Sequence, residues 1–410
     1  MIVYEIMFVR AVNIKKVVAM KEKILFLSYG DPQNIKAWSG IKYHLYNKLS
    51  EEYMIDSLFI NRRIYKLIRI FFKMKYNLKS KFVDYKYRIY NDVLFCKVIA
   101  RFLDKRIKKN YKFIFAPAMT SVIGYLKTDI PIIYFNDATF EKMMDYYPGY
   151  GDLGEKAIND ANEIEKRAMN KAELSIFTSL WALESAKNFY HIDEKKLKIL
   201  HFGANIRENP SIDKVKKSWQ EKEKNKKMKL LFVGKEWERK GGDIAYKITK
   251  KLNENGIDTK LTVCGCIPPK EYHDKYVEVI PFLNKKIPED KEKFDKLFYS
   301  SHFFILPTRA ECAGIVFCEA MAYGVPSVST STGGVGDYVI NKSNGIVIDS
   351  SLNIDEAANQ IAQLFNNEEE YKKLAVNSRK LFEQKYNWDV WLREFKKMIN
   401  SLGEIDENEL

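Results

Sequence analysis

Short runs of β-branched and aromatic residues alternate along the chain with longer stretches whose apolar positions recur every three to four residues. That rhythm predicts parallel βαβ units, because a strand covered on both faces reads as a continuous apolar run while its crossover helix shows one apolar stripe. In the first half the pattern predicts strands over residues 23–29, 55–60, 112–116, 130–135, 174–178 and 196–201, with helices between them. The rhythm then stops. Residues 207–228 are dominated by Lys, Glu, Asn and Ser, with Pro210 near their start, and read as a connection carrying an exposed turn or helix. A second series begins at Lys229, with strands over 229–233, 259–264, 277–281, 302–306 and 326–330 and helices over 241–254, 290–300 and 314–323. Helices over 353–366, 368–385 and 388–401 complete the pattern.

Two such series mean two doubly wound α/β halves, and 410 residues is the right length for two domains rather than one. The expected division is 20–206, a linker at 207–228, and 229–385, with 386–410 as a terminal helix. Residues 1–19 read as an N-terminal extension or a misplaced start, since Met20 and Lys21 directly precede the first strand. Ligands of paired doubly wound sheets bind at the carboxyl ends of the strands, so a cleft between the halves is the expected site.

Composition narrows the class. Apolar residues at 46% and charged residues at 30% exclude a mostly disordered chain. The net charge of +14 is unevenly spread: residues 61–112 hold 17 Lys and Arg against three Asp, which is the whole excess. The protein is therefore neutral apart from one basic stretch, unlike a nucleic-acid coat protein. Within that stretch Ile64, Leu67, Ile68 and Phe71 fall on one side of a helix, widened by Phe72, Met74 and Tyr76, while Arg62, Lys66, Arg69 and Lys73 fall on the other. A basic amphipathic helix of this kind suits an anionic membrane surface, or packs on a core with a solvated cationic face. Interleaved Tyr76, Phe82, Tyr85, Tyr87 and Tyr90 allow base stacking, yet no nucleic-acid recognition motif accompanies them, and no nucleic acid is expected as partner. The five cysteines form no CxxC pair and fit reduced thiols in a cytoplasm. No apolar run reaches the length of a membrane span, and the N-terminus shows no secretion signal, so the expected location is cytoplasmic, with peripheral contact at the inner face of the membrane.

The residues that carry chemistry lie at predicted strand ends. After the strand at 302–306, a loop carries Glu311, Gly314 opens a helix, and Glu319 follows about one turn in. The start of a helix presents unpaired N–H groups at Gly314, Ile315 and Val316 and a positive dipole end, which suits a diphosphate. Read alone, Glu311 is equally a solvated loop acid and Glu319 an acid favoured by the dipole. Gly234, Lys235, Trp237, Arg239, Lys240, Gly241 and Gly242 form a glycine-bounded basic loop after the strand at 229–233. Gly333 and Gly334 add a loop suited to close approach, with Asp337 behind it. In the first half Trp38, Ser39 and Gly40 follow the first strand, and Asn136 and Asp137 follow the strand ending at Phe135. A Walker pattern and a GxGxxG after the first strand are both absent.

Taken together, these motifs resemble the retaining nucleotide-sugar glycosyltransferases of the GT-B fold, the group-one family. Glu311 and Glu319 match its Glu, seven residues, Glu motif; Lys235 and Lys240 match its basic loop; Gly333 and Gly334 match its paired glycines; and His201–Asn205 sits where the family has a turn before the linker. The resemblance spans Met20 to the C-terminus and is most specific over 229–339. It implies two Rossmann-like domains facing a cleft, an acceptor-side half followed by a donor-binding half, and a terminal helix around Trp388 and Trp391 that crosses back to the first domain. It also implies transfer of a sugar from a nucleotide diphosphate sugar to a glycan or lipid-linked acceptor in cell-surface polysaccharide or glycolipid synthesis. By resemblance Glu311 contacts the donor sugar, Glu319 binds the ribose, Lys235 and Lys240 hold the diphosphate with Gly234, and Gly314, Ile315 and Val316 bind phosphate or sugar oxygens. Phe282 and Leu283 are candidates for base contacts or for core packing. Many members carry His before Asp in the first domain where this chain has Asn136 before Asp137, which leaves Asp137 as the acceptor-side candidate or as a helix cap. No metal or cofactor is required by this scheme. An epimerase or a pyridoxal phosphate phosphorylase on a similar fold is the nearer rival, though no cofactor lysine is identifiable for the latter.

Overall fold

All eleven predicted strands form, and a twelfth joins them, in a computed structural model that describes residues 21–60, 65–72, 74, 88–349 and 353–408. Residues 1–19, and within the basic stretch Arg62, Ile64, Lys73, Tyr76, Phe82, Tyr85 and Tyr87, lie outside the described residues. The first sheet consists of β1 (Lys23–Ser28), β2 (Met54–Phe59), β3 (Ile114–Pro117), β4 (Ile132–Asn136), β5 (Leu174–Phe177) and β6 (Leu197–Ile199), in the spatial order β2-β1-β3-β4-β5-β6. The second consists of β7 (Met228–Val233), β8 (Thr259–Cys264), β9 (Val277–Ile280), β10 (Phe303–Leu306), β11 (Ser327–Thr330) and β12 (Gly345–Ile348), in the order β12-β11-β10-β7-β8-β9. Every pairing in both sheets is parallel. The strand order reverses at β1/β3 and at β7/β10, and those switch points are where a doubly wound sheet opens a crevice. β12 is the strand the pattern does not announce, since it is a four-residue run at the sheet edge, entered directly from the turn at 342–344.

Alternation along β1 explains how one sheet serves two cores. Leu25 and Leu27 face helix Val93–Asp104 and its neighbours, whereas Ile24 and Phe26 face a second cluster that continues through Phe202, Trp388 and Trp391 into the other half. The terminal helix Trp388–Asn408 lies on the first sheet: Trp391 packs on Phe115 and Phe135 at ring separations of 6.1 and 5.8 Å, and Phe395 on Phe115 at 5.5 Å. Residues 207–228 are more than a connection. Their helix, Ile212–Glu223, buries Val215 and Trp219, and Trp219 Nε1 donates to the Gly324 carbonyl at 3.0 Å, so it packs on the second half.

The basic stretch also differs from expectation. Residues 65–72 and 74 are helical, but the side that packs inward is Tyr65, Ile68 and Phe72, with Phe72 against Phe95 at 5.3 Å. Leu67 and Phe71, which periodicity placed on the same apolar side as Ile68, face solvent instead. Apolar residues cover well over half of this helix, with Lys66 and Arg69 on the remainder, so spacing alone could not select the inward face.

Candidate active site

A cavity of about 1480 Å³ lies between the two halves at the carboxyl ends of β1, β3 and β4 on one side and β7, β9 and β10 on the other. It is larger than the roughly 300–1,000 Å³ usual for one small ligand, and so has room for two. Of the residues singled out by sequence, Ser39, Gly40, Asp137, Gly234, Lys235, Lys240, Phe282, Leu283, Glu311, Gly314, Ile315, Val316 and Glu319 all line it.

The donor-side wall is built by two loops that brace each other. The loop after β7 winds tightly into helix Gly242–Glu254, and Gly241 (φ 74°) lies so close to the Pro307 carbonyl that any Cβ would overlap it. This contact fixes Lys240 beside the Glu311 loop, where its ammonium pairs with the Glu311 carboxylate. Arg239 adds a second cation 3.8 Å from the same carboxylate, and its guanidinium donates to the Ala310 carbonyl at 2.7 Å. Lys235 is exposed at the rim. Gly314 (φ 74°) caps helix Ile315–Ala322, whose first N–H groups have no partner within the helix. Glu311, Lys240 and that helix start therefore converge on one point.

Glu319, one turn further on, is buried and pairs with Lys285 at 2.6 Å. Burial pushes its carboxyl up, and the Lys285 charge and hydrogen bond pull it back down. Lys285 also donates to the Asn205 carbonyl at 3.2 Å and lies over the Phe294 ring at 4.3 Å. Three residues earlier, Phe282 is 62% exposed on the cavity wall, which removes core packing as its role, while Leu283 packs partly against the core.

On the opposite wall the chain after β1 is strained. Trp38, Ser39 and Gly40 take φ of 48°, 54° and 88° in succession, two of them at residues with a Cβ, and such strain concentrates at functional sites. The turn directs Trp38 Nε1 to the Asp137 carboxylate at 3.3 Å. Burial raises Asp137 to about 6, and the nearby Glu311 charge adds to the rise. Its neighbour Asn136 is occupied, donating to Tyr134 Oη at 2.7 Å and to the Ala138 carbonyl at 2.8 Å. Tyr134 in turn donates to the buried Glu165 at 2.8 Å, a carboxyl that burial pushes up to about 7.

Gly333 and Gly334 lie outside the cavity wall. They back the Glu311 loop from behind: Gly334 N–H donates to the Glu311 carbonyl at 3.1 Å, and a Cβ at Gly334 would overlap the Cys312 carbonyl. Space at Gly333 admits Tyr146 from the first half, whose hydroxyl accepts from Glu311 N–H at 2.8 Å and lies 3.0 Å from Thr332 Oγ1. Sequence reasoning did not single out Tyr146, Lys285 or Glu165. Nothing local marks them, because each meets its partner across at least 31 residues of chain. Asp337, noted as a loop acid, instead clasps the two halves: one carboxylate oxygen accepts from Leu180 N–H at 3.0 Å and the other meets His201 Nε2 at 3.0 Å.

Residues 213–381 match the family model of the glycosyl transferases group 1. The matched stretch, most of the second half, is thus similar to the group 1 glycosyltransferases, and the two facing parallel sheets have the GT-B fold of the solved structures they superpose on. Among curated relatives, a capsular polysaccharide biosynthesis glycosyltransferase from Staphylococcus aureus is 27% identical over 172 residues, covering 42% of this chain and 45% of that protein. The alignments span about half the length of the first curated relatives matched. Among solved structures, a sucrose-phosphate synthase from Thermosynechococcus elongatus superposes with a TM-score of 0.62 at 16% identity, covering 94% of this chain and all 100% of that one. Anabaena HepE in complex with UDP and glucose superposes with a TM-score of 0.60 at 15% identity over 93% of this chain and 100% of that one.

Proposed function

We propose that the protein is a retaining glycosyltransferase that moves a sugar from a nucleotide diphosphate sugar to a glycan or lipid-linked acceptor, in cell-surface polysaccharide or glycolipid synthesis. One observation carries this reading: Glu311, Lys240 and the helix start at Gly314 converge on one wall of a cavity whose opposite wall presents Asp137. A relative named for capsular polysaccharide biosynthesis, and a structural neighbour solved with UDP and glucose, support it.

In this reading the second half, from residue 229 on, binds the donor and residues 20–206 take the acceptor. Glu319 accepts from ribose hydroxyls once Lys285 yields, and Phe282 offers its exposed ring to the base. Lys240, Lys235 and the N–H groups around Gly314, Ile315 and Val316 hold the diphosphate. As the bond from the anomeric carbon to the diphosphate oxygen breaks, negative charge grows on the departing phosphate. Fixed cations and N–H dipoles already aimed there stabilise it without reorganising. We assign that stabilisation to side-chain cations and helix N–H groups rather than to a bound metal. The acceptor oxygen bonds to the same face of the anomeric carbon, and its proton passes to Asp137. With a carboxyl near 6, Asp137 is mostly ionised at neutral pH and free to take it. We place the reaction in the cytoplasm, at the inner face of the membrane.

Thermal-shift titration with UDP-, GDP- and ADP-sugars tests the donor site directly, because a ligand that binds only the folded state raises the melting temperature in proportion to its affinity. A shift with one base and none with the others identifies the donor. No shift with any nucleotide sugar at millimolar concentration overturns the reading.

A further inference from the structure

The helical residues 65–72 and 74 leave a row of large apolar side chains in solvent: Leu67 at 69%, Ile70 at 45%, Phe71 at 64% and Met74 at 61% exposure. Their spacing of three, one and three residues puts them on one stripe of a helix. A second helix, Val93–Asp104, packs beside it through Phe72 and Phe95, and adds exposed Leu94 and Val98. Isolated surface apolar residues need no explanation, but four in one row on a helix, with two more on the helix packed beside it, do. The charge around them is one-sided. Lys66, Arg69, Lys97, Arg101, Lys105 and Arg106 are exposed on the same two helices and the turn that follows, and the acids among them, Asp92 and Asp104, are buried and half-buried respectively.

This face adjoins the cleft. Tyr65, on the inner side of the helix, packs on Tyr29 at 5.8 Å and on Tyr90 at 6.4 Å. Tyr29, Tyr90 and the neighbouring Arg88 all line the cavity on its acceptor side.

We propose that this face docks on an anionic lipid bilayer, with Leu67, Ile70, Phe71 and Met74 entering the headgroup region and the surrounding Lys and Arg meeting lipid phosphates. Apolar side chains ringed by cations match the layering of an anionic membrane surface, in which charge lies outside and hydrocarbon within. A nucleic acid would satisfy the cations and leave the aliphatic stripe in water. The inference rests on the acceptor reading above and deepens it: the acceptor is anchored in the leaflet, and its polar head rises into the cleft past Tyr90 and Arg88.

Sedimentation with sucrose-loaded vesicles tests this. The full chain is mixed with vesicles of phosphatidylcholine alone, and with vesicles carrying about a third phosphatidylglycerol, at low and high salt. The expected result is pelleting on anionic vesicles only, lost at high salt, and weakened at least about tenfold by Leu67→Glu with Phe71→Glu. Both positions are exposed, so the doubly substituted chain should melt with the wild type and keep its thermal shift with a nucleotide sugar. Absence of pelleting, equal pelleting on neutral vesicles, or indifference to the two substitutions overturns the proposal. So does a concentration-dependent dimer in light scattering that the substitutions abolish while vesicles are ignored, which makes the face an interface between two copies. Pelleting without any nucleotide-sugar shift leaves the docking surface standing and removes the transferase reading instead.

Discussion

Replacing Asp137 by Asn should stabilise the protein and disable it together. The carboxylate is half-buried against Trp38 and faces Glu311 across the cleft, and burial raises it from the ordinary 3.8 to about 6. A folded state that binds a proton more tightly than the unfolded chain loses stability as pH rises through the interval between the two values. The cost is therefore absent below about pH 4 and complete above about pH 6. At about 1.4 kcal/mol per pH unit it reaches roughly 3 kcal/mol, and contact with cavity water reduces that to roughly 1.5–3. Asn has the same shape and keeps an oxygen for Trp38 Nε1, so it removes the charge and little else. The melting temperature should rise by about 3–12 °C at pH 7.5 and by nothing resolvable near pH 4, at roughly 2–4 °C per kcal/mol. Over the same series, wild-type turnover should climb through about pH 6 as the carboxylate ionises, and the Asn variant should lose that limb along with about 10²–10⁴ of its rate. Differential scanning fluorimetry across pH, paired with nucleotide diphosphate release, reads both quantities. A gain in melting temperature that is equal at both ends of the range refutes the buried-charge account. A variant that transfers sugar within about threefold of wild type refutes the role in proton transfer.

Other substitutions separate chemistry from architecture. Lys240→Ala should depress turnover by about 10²–10³, from roughly 2.7–4 kcal/mol of lost charge stabilisation, yet melt close to wild type, because Arg239 remains 3.8 Å from Glu311; steady-state kinetics and a melting curve check both halves. Tyr146→Phe removes the acceptor for Glu311 N–H and leaves that group short of a partner at about 1–3 kcal/mol; kcat should fall about 5- to 100-fold with donor Kd held within about twofold, and a change in Kd alone contradicts a positioning role. Glu319→Ala should weaken nucleotide-sugar binding in calorimetry about tenfold or more, and unchanged donor affinity removes its place at the ribose. Gly241→Ala should lower the melting temperature by at least about 4 °C, since a left-handed backbone alone costs roughly 1–2 kcal/mol and the new Cβ meets the Pro307 carbonyl.

Much of this architecture was legible in the residues because the signals are local. A strand covered on both faces is a continuous apolar run wherever it lies, so Leu230–Val233 and Phe303–Leu306 announce themselves; so does a helix opened by Gly314 directly behind one. The loops after β7 and β10 could be read as neighbours because parallel strands present their carboxyl ends on one side. Edge strand β12 escaped, being four residues long and lacking a period to detect.

What the sequence by itself determined, then, was the order of elements, the two-half organisation, and the residue types at the strand ends, each set by spacing within about twenty positions. Only the tertiary structure decided which of those residues meet. The pairing of Lys285 with Glu319, the reach of Tyr146 to Glu311 across 165 residues, and the clasp of His201 on Asp337 depend on how two sheets and a returning helix pack. It also decided which side of the helix at 65–72 turns outward. With an apolar arc wider than one face, periodicity could not choose; Phe95 and its neighbours did, by accepting Phe72 and leaving Leu67 and Phe71 in solvent.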